Sequence, residues 1–287
     1  MNVSGKVAVV TGGASGIGRA LALAFAEAGA AGVVVADLDG AGAQAVAAQL
    51  GPRAIGVACD VGDDVGNGEL LAAAQAAFGP VDLFCANAGI IGGGDLLEVS
   101  DADWARTYAV NVDAHVFAAR RLVPGWLERG SGCFVATASA AGLLGQIGSA
   151  PYSVTKHAAV AFAEYLAITY GDRGVHVSCV CPMGVDTAML TGDGSAASER
   201  GAAVVRAAGA IVQPETVADA VLDAIAAERF FVFPHPEVEE FSRRKADDHE
   251  RWLAGMRRLQ AKVDAGPGRG LAPRGARGGP GARIECS

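Results

Sequence analysis

The sequence predicts an α/β protein with a single doubly wound parallel sheet of the Rossmann type and helices on both faces. Three observations support this prediction: short apolar runs alternate with Ala-rich helical segments, the links between them are short, and a glycine-rich or polar cluster follows most of the runs. Parallel sheets of this kind bind their ligands at the carboxyl ends of the strands. We therefore expect the functional residues at those ends.

The first half of the chain alternates between strand and helix. The short runs that contain Val and Ile predict strands at residues 7–10, 32–36, 54–59 and 81–85. The segments between them are rich in alanine and end at glycine or at a Gly-Pro pair, so helices are predicted at 18–28, 41–50 and 69–78.

The second half continues the pattern. A long helix is predicted at 100–121, where Ser100 and Asp103 resemble a capping box. It is followed by a strand at 132–137, a helix at 152–170, a strand at 175–180, a helix that begins at Pro214 and a last strand at 230–233. The loop 182–201 is rich in Gly, Ser and Thr, which favours a mobile lid.

We expect three regions along the chain. Residues 1–235 form the catalytic domain, and residues 236–265 form an extension in which both charge signs surround scattered apolar side chains. That pattern predicts one amphipathic helix at 238–263, packed on the body or on a second subunit. Residues 266–287 are dominated by Gly, Pro and Arg, and a disordered tail is expected there.

Composition excludes several classes of protein. The net charge of -8 and the lack of a basic patch argue against a nucleic-acid partner. No apolar run is long enough to span a membrane, and no secretory signal begins the chain, so we expect a cytoplasmic protein. The 6 cysteines show no metal-binding spacing, and we expect no metal.

Glycines cluster between the first predicted strand and helix, in the stretch Thr11-Gly12-Gly13-Ala14-Ser15-Gly16-Ile17-Gly18. Glycine lets the backbone approach a pyrophosphate, and the following helix N-terminus offers amide donors and a favourable dipole. The spacing GxxxGxG differs from the commoner GxGxxG fingerprint. Its place directly after a strand still favours a dinucleotide site over an ordinary turn.

Asp37 ends the second predicted strand. A carboxylate at this point accepts hydrogen bonds from the adenosine ribose hydroxyls and repels a 2′-phosphate. No Lys or Arg lies in the turn 12–18 or at positions 36–40 to bind such a phosphate. NAD is therefore predicted rather than NADP.

Tyr152 and Lys156 lie four positions apart in an Ala-rich segment, so a helix would project both from one face. A phenol beside an ammonium can donate and accept a proton. Because a phenol titrates near ~10, action near neutral pH requires its pKa to fall by roughly two to three units. We expect the Lys156 cation to supply part of this decrease. His157 points about 100° away from Lys156, and we expect it to pack rather than to catalyse.

Together these motifs resemble the short-chain dehydrogenase/reductase family over about residues 5–235. The residues that carry the resemblance follow in order along the chain: the turn Thr11 to Gly18, Asp60-Val61, Asn87-Ala88-Gly89, Asn111, Ser139, Tyr152 with Lys156, and Pro182 through Thr187. Met183 departs from the pattern, because the family usually has glycine after this proline.

The resemblance implies that Tyr152 is the general acid/base, that Lys156 holds the nicotinamide ribose and that Ser139 orients the substrate oxygen. Asn111 would connect Lys156 to a chain of waters. The implied cofactor-binding residues are Gly12, Ser15, Gly16, Ile17, Gly18, Asp37, Asp60, Val61, Asn87, Ala88, Gly89, Tyr152, Lys156, Pro182, Val185 and Thr187. The resemblance also implies a homodimer or homotetramer, assembled through the helices that bear Asn111 and Tyr152.

The expected reaction is the NAD-dependent interconversion of a secondary alcohol and a ketone. The substrate is expected to contact Ser139, Tyr152, Met183 and Met189. The apolar wall of its pocket is predicted to comprise Ala141, Leu143, Leu144, Met183, Met189 and Leu190. Few charges are available there to anchor a phosphate or carboxylate, so a hydrophobic or cyclic alcohol is expected. Two alternatives are a dihydrodiol dehydrogenase that aromatises a cyclic diol and a non-catalytic NAD-binding regulatory protein on the same fold.

Overall fold

Seven parallel strands form one sheet in the order β3-β2-β1-β4-β5-β6-β9. The computed structural model describes residues 1–92, 94–191, 203–206 and 209–265. The strands are β1 (Val7–Thr11), β2 (Gly32–Asp37), β3 (Ala54–Ala58), β4 (Leu83–Ala86), β5 (Gly132–Thr137), β6 (Val175–Val180), β7 (Gly184–Val185), β8 (Ile211–Val212) and β9 (Phe231–Val232). The short strands β7 and β8 pair with each other in a separate sheet. The predicted parallel α/β architecture is confirmed.

The strand order reverses beside β1, which pairs with β2 on one side and with β4 on the other. Chain connections leave such a point in opposite directions, so a crevice opens outside the carboxyl ends of β1 and β4. The clusters that follow these two strands, the glycine-rich turn and Asn87-Ala88-Gly89, therefore lie next to each other.

Helices cover both faces of the sheet. They are α1 (Gly16–Glu27), α2 (Gly40–Leu50), α3 (Asp64–Phe78), α4 (Asp101–Tyr108), α5 (Ala114–Arg129), α6 (Ala141–Leu144), α7 (Ala150–Tyr170), α8 (Ala188–Thr191), α9 (Pro214–Ala226), α10 (Pro236–Asp247) and α11 (His249–Ala265). Short 3-10 turns occupy Gly51–Arg53 and Gly171–Arg173, and a π-helical segment, Ala109–Asp113, joins α4 to α5.

Alternate residues of each central strand enter two separate cores. Val9 packs with Trp126 and other residues of α3, α5 and α7, whereas Val10 packs with Phe25 and other residues of α1, α2 and α9. All four side chains are fully buried. Burial of each apolar side chain of this size contributes about 1.5–3 kcal/mol to the free energy of folding. The two cores therefore hold the strands in place, and with them the strand ends that carry the site.

Several predicted boundaries were wrong. The helix predicted at 100–121 is interrupted by the π segment and continues to Arg129, and the helix predicted at 69–78 begins at Asp64. The second start has a local cause, because the Asp63 side chain accepts a hydrogen bond from the amide of Gly66 and caps α3.

The C-terminal extension contains two helices rather than the single helix predicted at 238–263. They are separated at Asp248, whose side chain accepts a hydrogen bond from the Arg251 amide and so caps α11. The rings of Phe241 and Trp252 lie 6.4 Å apart and join the two helices. Val238 is fully buried in the core that contains residues of α5 and α7, so the start of the extension packs on the sheet domain.

The loop predicted as a mobile lid at 182–201 lies partly outside the described residues, as does the whole tail predicted at 266–287. The described part of the loop contains β7 and α8. Across the described residues, no helix combines the length and the apolar character that a membrane crossing requires. The five described cysteines are buried and unbridged: Cys59, Cys85, Cys133, Cys179 and Cys181.

Candidate active site

The glycine-rich turn after β1 has a backbone conformation and a close packing that residues with side chains could not adopt without strain. Gly12 and Gly16 have φ values of +65° and +50°, in the left-handed region that favours glycine. A Cβ atom on Gly18 would lie 2.0 Å from the carbonyl oxygen of Gly12, so the first turn of α1 packs directly on the loop. The amides at the start of α1 consequently face the crevice without covering side chains, as binding of a pyrophosphate requires.

Asp37 lies at the end of β2, beside this turn. One carboxylate oxygen accepts a hydrogen bond of 3.0 Å from the Ala14 amide, and the other accepts one of 3.0 Å from the Asp39 amide. These two bonds fix the carboxylate at the edge of the crevice. Its remaining acceptor positions are available to hydroxyl donors.

The ends of β1 and β4 are tied together through Thr11 and Asn87. The Asn87 side-chain amide donates to the Thr11 carbonyl over 2.9 Å, and the Asn87 backbone amide donates to the Thr11 hydroxyl over 2.9 Å. That hydroxyl in turn donates to the Cys85 carbonyl. Asn87 therefore joins the ends of β1 and β4 at the switch point.

Asp60 follows β3 and forms an ion pair that the sequence did not predict. Arg106 on α4 donates to both carboxylate oxygens, over 3.1 and 2.9 Å. Burial alone would raise the pKa of Asp60, but the hydrogen bonds from Arg106 and Gly62 outweigh it and hold the pKa below its usual range. Arg106 escaped prediction because it is 46 residues away in sequence and belongs to no recognisable motif.

Lys156 lies on α7 and is only 2% exposed. Its ammonium donates a hydrogen bond of 2.8 Å to the Thr137 carbonyl at the end of β5, and Nζ lies 5.6 Å from the centroid of the Tyr152 ring. Burial lowers the pKa of Lys156 from 10.5 to about 8. Its charge is thus present at neutral pH and is lost as the pH rises above about 8.

Tyr152 differs from expectation in the direction of its pKa. Burial of the phenol raises the pKa, because it penalises the phenolate, and the hydrogen bond with Ser139 opposes that rise. The predicted decrease is therefore not produced by the protein groups around Tyr152. The reason is that the expectation counted the attraction of Lys156 but not the desolvation of the phenol.

Ser149 joins the start of α7 to the segment after β4, and Ser139 joins the loop after β5 to the segment after β6. The Ser149 hydroxyl accepts a hydrogen bond from the Tyr152 amide and caps α7, while it donates to the Ile91 carbonyl. The Ser139 hydroxyl accepts from the Ala141 amide and donates to the Pro182 carbonyl over 3.4 Å. The Ser-Ala-Pro start of α7 is a capping signal that sequence analysis could have used to find Ser149.

Asn111 lies in the π segment and is fully buried. Its side chain exchanges two hydrogen bonds of 2.9 Å with the backbone of Ile90 and donates a third to Thr155. A Cβ atom on Gly89 would lie 3.3 Å from both Asn111 Oδ1 and Lys156 Nζ, so the two side chains approach the same short stretch of backbone. The Asn111 side chain does not line the crevice, so it contacts the site from behind this loop.

His235 holds the segment that follows β6. Its Nδ1 accepts a hydrogen bond of 3.2 Å from the Met183 amide, and its Nε2 lies 3.0 Å from the Gly184 carbonyl. The ring is 2% exposed. Sequence analysis missed His235, because no local signal connects it with a segment about 50 residues earlier. By contrast, His157 is exposed and contacts only the Ser153 carbonyl of its own helix among the described hydrogen bonds.

These groups surround one cavity of about 390 Å³. Nearly all the predicted site residues line it: Gly12, Ser15, Gly16, Ile17, Gly18, Asp37, Asp60, Val61, Asn87, Ala88, Gly89, Ser139, Tyr152, Lys156, Pro182, Met183, Val185, Thr187 and Met189. Leu190 also lines it, but three residues predicted in its apolar wall do not: Ala141, Leu143 and Leu144. They belong to α6, where Gly142 packs on the Lys156 backbone and Leu143 and Leu144 pack on the core.

Apolar residues from other loops take their place in the wall. Ile90 and Ile91 follow β4, and Val205 belongs to the helical turn at 203–206. Within the described residues, no group of three or more His, Cys, Asp or Glu side chains is arranged to hold a metal ion. The cavity thus combines a dinucleotide cradle at one end with a hydroxyl, a phenol and an ammonium near an apolar wall.

Comparison with known proteins agrees with this description. A family model described as "short chain dehydrogenase" matches residues 6–197. The 1-deoxy-11-beta-hydroxypentalenate dehydrogenase of Streptomyces exfoliatus is 38% identical over 86% of this chain and 90% of its own length. The cis-4-hydroxycyclohexanecarboxylate dehydrogenase of Sinomonas cyclohexanicum is 36% identical over 75% of this chain and 87% of its own.

A solved structure is also similar. It is a short chain dehydrogenase/reductase from Burkholderia phymatum in complex with NAD, with a TM-score of 0.79 and 33% sequence identity. The similarity covers 87% of this chain and 96% of that one.

Proposed function

Because this chain belongs to the short-chain dehydrogenase family, we propose that it is an NAD-dependent oxidoreductase that interconverts a secondary alcohol and a ketone. The observation that carries the proposal is the complete set of Ser139, Tyr152 and Lys156 in the same cavity as the glycine-rich turn. A regulatory protein on this fold would need the cradle but would not need all three side chains.

The residues of the crevice fit NAD. The side-chain-free turn at Gly12, Gly16 and Gly18 would hold the pyrophosphate at the N-terminus of α1. Asp37 would accept from the adenosine ribose hydroxyls, and its carboxylate would repel the 2′-phosphate of NADP. Asp60 and Val61 line the cavity where the adenine would lie, and Val185 and Thr187 line it where the carboxamide would bind.

Bound NAD supplies the ring that accepts a hydride from the alcohol carbon or returns it to the ketone. Tyr152 accepts the hydroxyl proton during oxidation and donates it during reduction. Ser139 holds the substrate oxygen next to the phenol, and Lys156 provides positive charge beside it. Because burial raises the pKa of Tyr152, this fixed charge has to stabilise the phenolate while the proton is away.

We propose a hydrophobic or cyclic secondary alcohol as the substrate. Met183, Met189, Leu190, Ile91 and Val205 give the cavity an apolar wall. The two curated relatives described above are named for hydroxylated acids, one of which has a cyclohexane ring.

We also propose a homodimer or homotetramer, supported by exposed apolar side chains along α7.

The test is oxidation of a panel of cyclic and acyclic secondary alcohols with NAD and with NADP, followed by absorbance of the reduced cofactor. We expect turnover of cyclic alcohols and faster turnover with NAD. The variant Tyr152→Phe removes the hydroxyl but keeps the ring, so it should lower kcat by about a hundredfold to ten-thousandfold, the usual contribution of a general acid/base. NADH binding, followed by fluorescence, should stay close to that of the unmodified protein.

Two results would contradict the proposal. Substantial turnover by Tyr152→Phe would refute the assignment of the acid/base. NADH binding without turnover of any alcohol or ketone would instead favour a regulatory protein. A preference for NADP would leave the reaction class intact but refute the argument from Asp37.

A further inference from the structure

A second cavity adjoins the active site and is lined in part by the C-terminal extension. It shares Gln146, Gly148 and Ser149 with the first cavity. Ser149 caps α7 three residues before Tyr152, which corresponds to about 5 Å along the helix axis. The second cavity therefore lies next to the space in which the substrate oxygen would meet the phenol.

One wall of this second cavity is apolar. Its apolar lining comprises Trp252, Leu253 and Met256 of α11, Leu144 of α6 and Ile147 from the loop before α7. The side chain of Leu253 is 39% exposed, so part of this apolar wall is accessible to a ligand. Leu144, which was predicted to line the substrate pocket, thus lines the second cavity instead.

A cation lies at the same cavity. Lys245 of α10 lines it and donates a hydrogen bond to the Leu143 carbonyl of α6. No carboxylate of the described residues forms an ion pair with Lys245. Arg243 and Arg244, its neighbours on α10, are each paired with a glutamate one turn earlier.

The bond to Leu143 occupies one of the three N–H donors of the ammonium, so two remain for a ligand. Asp95 is the acidic residue among the described residues that line this cavity, and its carboxylate accepts a hydrogen bond from the Leu97 amide. His249, the first residue of α11, also lines the cavity. Lys245 therefore offers an anion a cation that forms no ion pair with an acidic side chain of the described residues.

We propose that Lys245 binds a carboxylate of the substrate, and that the carbon skeleton between this carboxylate and the reacting carbon lies against Trp252, Leu253 and Met256. The substrate class is then an alicyclic hydroxy acid or the corresponding keto acid. This inference rests on the proposed oxidoreductase function and names its substrate. The names of the two relatives, a hydroxypentalenate and a hydroxycyclohexanecarboxylate dehydrogenase, describe the same combination of groups.

The test compares an acid with its neutral analogue in the full-length protein. 4-Hydroxycyclohexanecarboxylate and its methyl ester are oxidised with saturating NAD by the unmodified protein and by Lys245→Met. The unmodified protein should have the lower KM for the acid. Lys245→Met should raise the KM for the acid about tenfold, equivalent to about 1.4 kcal/mol, and should leave kcat and the KM for the ester nearly unchanged.

Lys262→Met is the matched control. Lys262 lies on α11, is exposed and does not line the cavity, so its removal changes the net charge equally without touching the subsite. An equal rise in the KM for the acid in both variants would refute the proposal, because it would show a long-range effect of net charge. An equal change for acid and ester in Lys245→Met would refute it as well.

A binding experiment separates this proposal from the function on which it rests. Cyclohexanecarboxylate and cyclohexanecarboxamide are titrated into the NADH complex by calorimetry. Tighter binding of the carboxylate, lost in Lys245→Met and kept in Lys262→Met, would support the subsite even if no alcohol were oxidised. Turnover of neutral alcohols with no preference for the carboxylate in either experiment would refute the subsite and leave the oxidoreductase proposal standing.

Discussion

His235 shows how a single buried side chain can determine the shape of a cofactor site. Its ring joins the Met183 amide to the Gly184 carbonyl, and Val185 and Thr187 of the same segment line the cavity. Since Nδ1 accepts, Nε2 must carry the proton, so the neutral ring in this tautomer satisfies both bonds. The family usually has glycine where Met183 stands. In this protein, the hydrogen bond from the Met183 amide to His235 holds the backbone at that position.

We expect His235→Leu to raise the KM for NAD by about tenfold, because two buried backbone groups lose their partners and the segment can shift. Each unpaired group costs about 1–3 kcal/mol, so the free energy of unfolding should fall as well. His235→Asn places an acceptor near the position of Nδ1 and should recover part of the affinity for NAD. Urea unfolding and steady-state kinetics measure the two effects separately.

A purely structural role would give a different result. In that case His235→Leu would lower stability but leave the KM for NAD unchanged, and His235→Asn would recover stability alone. His157→Leu provides the control, since that histidine is exposed and remote from this segment in sequence.

The candidate catalytic residues were predicted as a set, because they follow a fixed order along the chain. Ser139, Tyr152 and Lys156 line one cavity as expected. Arg106 and His235 were not predicted from the sequence, because each forms a hydrogen bond with a partner 46 to 52 residues away that only the fold brings near. The predicted direction of the shift in the Tyr152 pKa was also wrong, because the burial that raises this pKa is a property of the packed structure and not of the local sequence.

At the scale of elements, the strands were predicted more accurately than the helices. Buried parallel strands are short apolar runs whose ends are marked by polar residues, and the observed β5 and β6 match the predictions at both ends. The π segment had no comparable marker. Asn111 exchanges hydrogen bonds with Ile90, and these tertiary contacts accompany the departure from a regular helix.

Helix α5 also carries a buried histidine that sequence analysis did not single out. His115 is 1% exposed, packs with its ring centroid 6.1 Å from that of Phe134 and forms no hydrogen bond through either nitrogen with the described residues. Burial, with a smaller effect from the Lys156 charge, lowers the pKa of His115 from 6.5 to about 3.

This burial predicts a loss of stability in acid. Between pH 6.5 and about 3 the unfolded chain protonates His115 while the folded chain does not, so stability falls as the pH falls through this window. The loss between pH 8 and pH 5 should be about 2 kcal/mol. His115→Leu should remove this component, and urea unfolding at the two pH values measures the difference. His157→Leu should keep it, and an unchanged pH dependence in His115→Leu would refute the prediction.

At the scale of the whole molecule, one part of the site could not be predicted. The two cavities combine the loops after β4 and β5, the segment after β6 and the C-terminal helices, which are far apart in sequence. The glycine-rich and polar clusters could be listed from the sequence because they follow successive strands. The apolar lining could not, because it depends on how distant loops pack, so the expected wall included α6 and lacked Ile91 and Val205.

Helix α7 presents an apolar stripe to solvent on the side away from the core. Val154, Ala161, Tyr165 and Ile168 recur at helical spacing, and Ile168 is 85% exposed. Such a stripe on an otherwise packed helix is typical of an interface. Since α7 also carries Tyr152 and Lys156, a second copy packed here would support the catalytic helix directly.

We therefore expect the protein to have a mass of two or four times 28.8 kDa in solution. Ile168→Glu places a charge within the proposed contact, where burial without a partner is unfavourable, and should halve that mass at micromolar concentration. Multi-angle light scattering after gel filtration measures it. Val65→Glu, a comparable change at a 64% exposed position on α3, should leave the mass unchanged. A monomeric unmodified protein, or an Ile168→Glu variant of unaltered mass, would show that α7 does not form the interface.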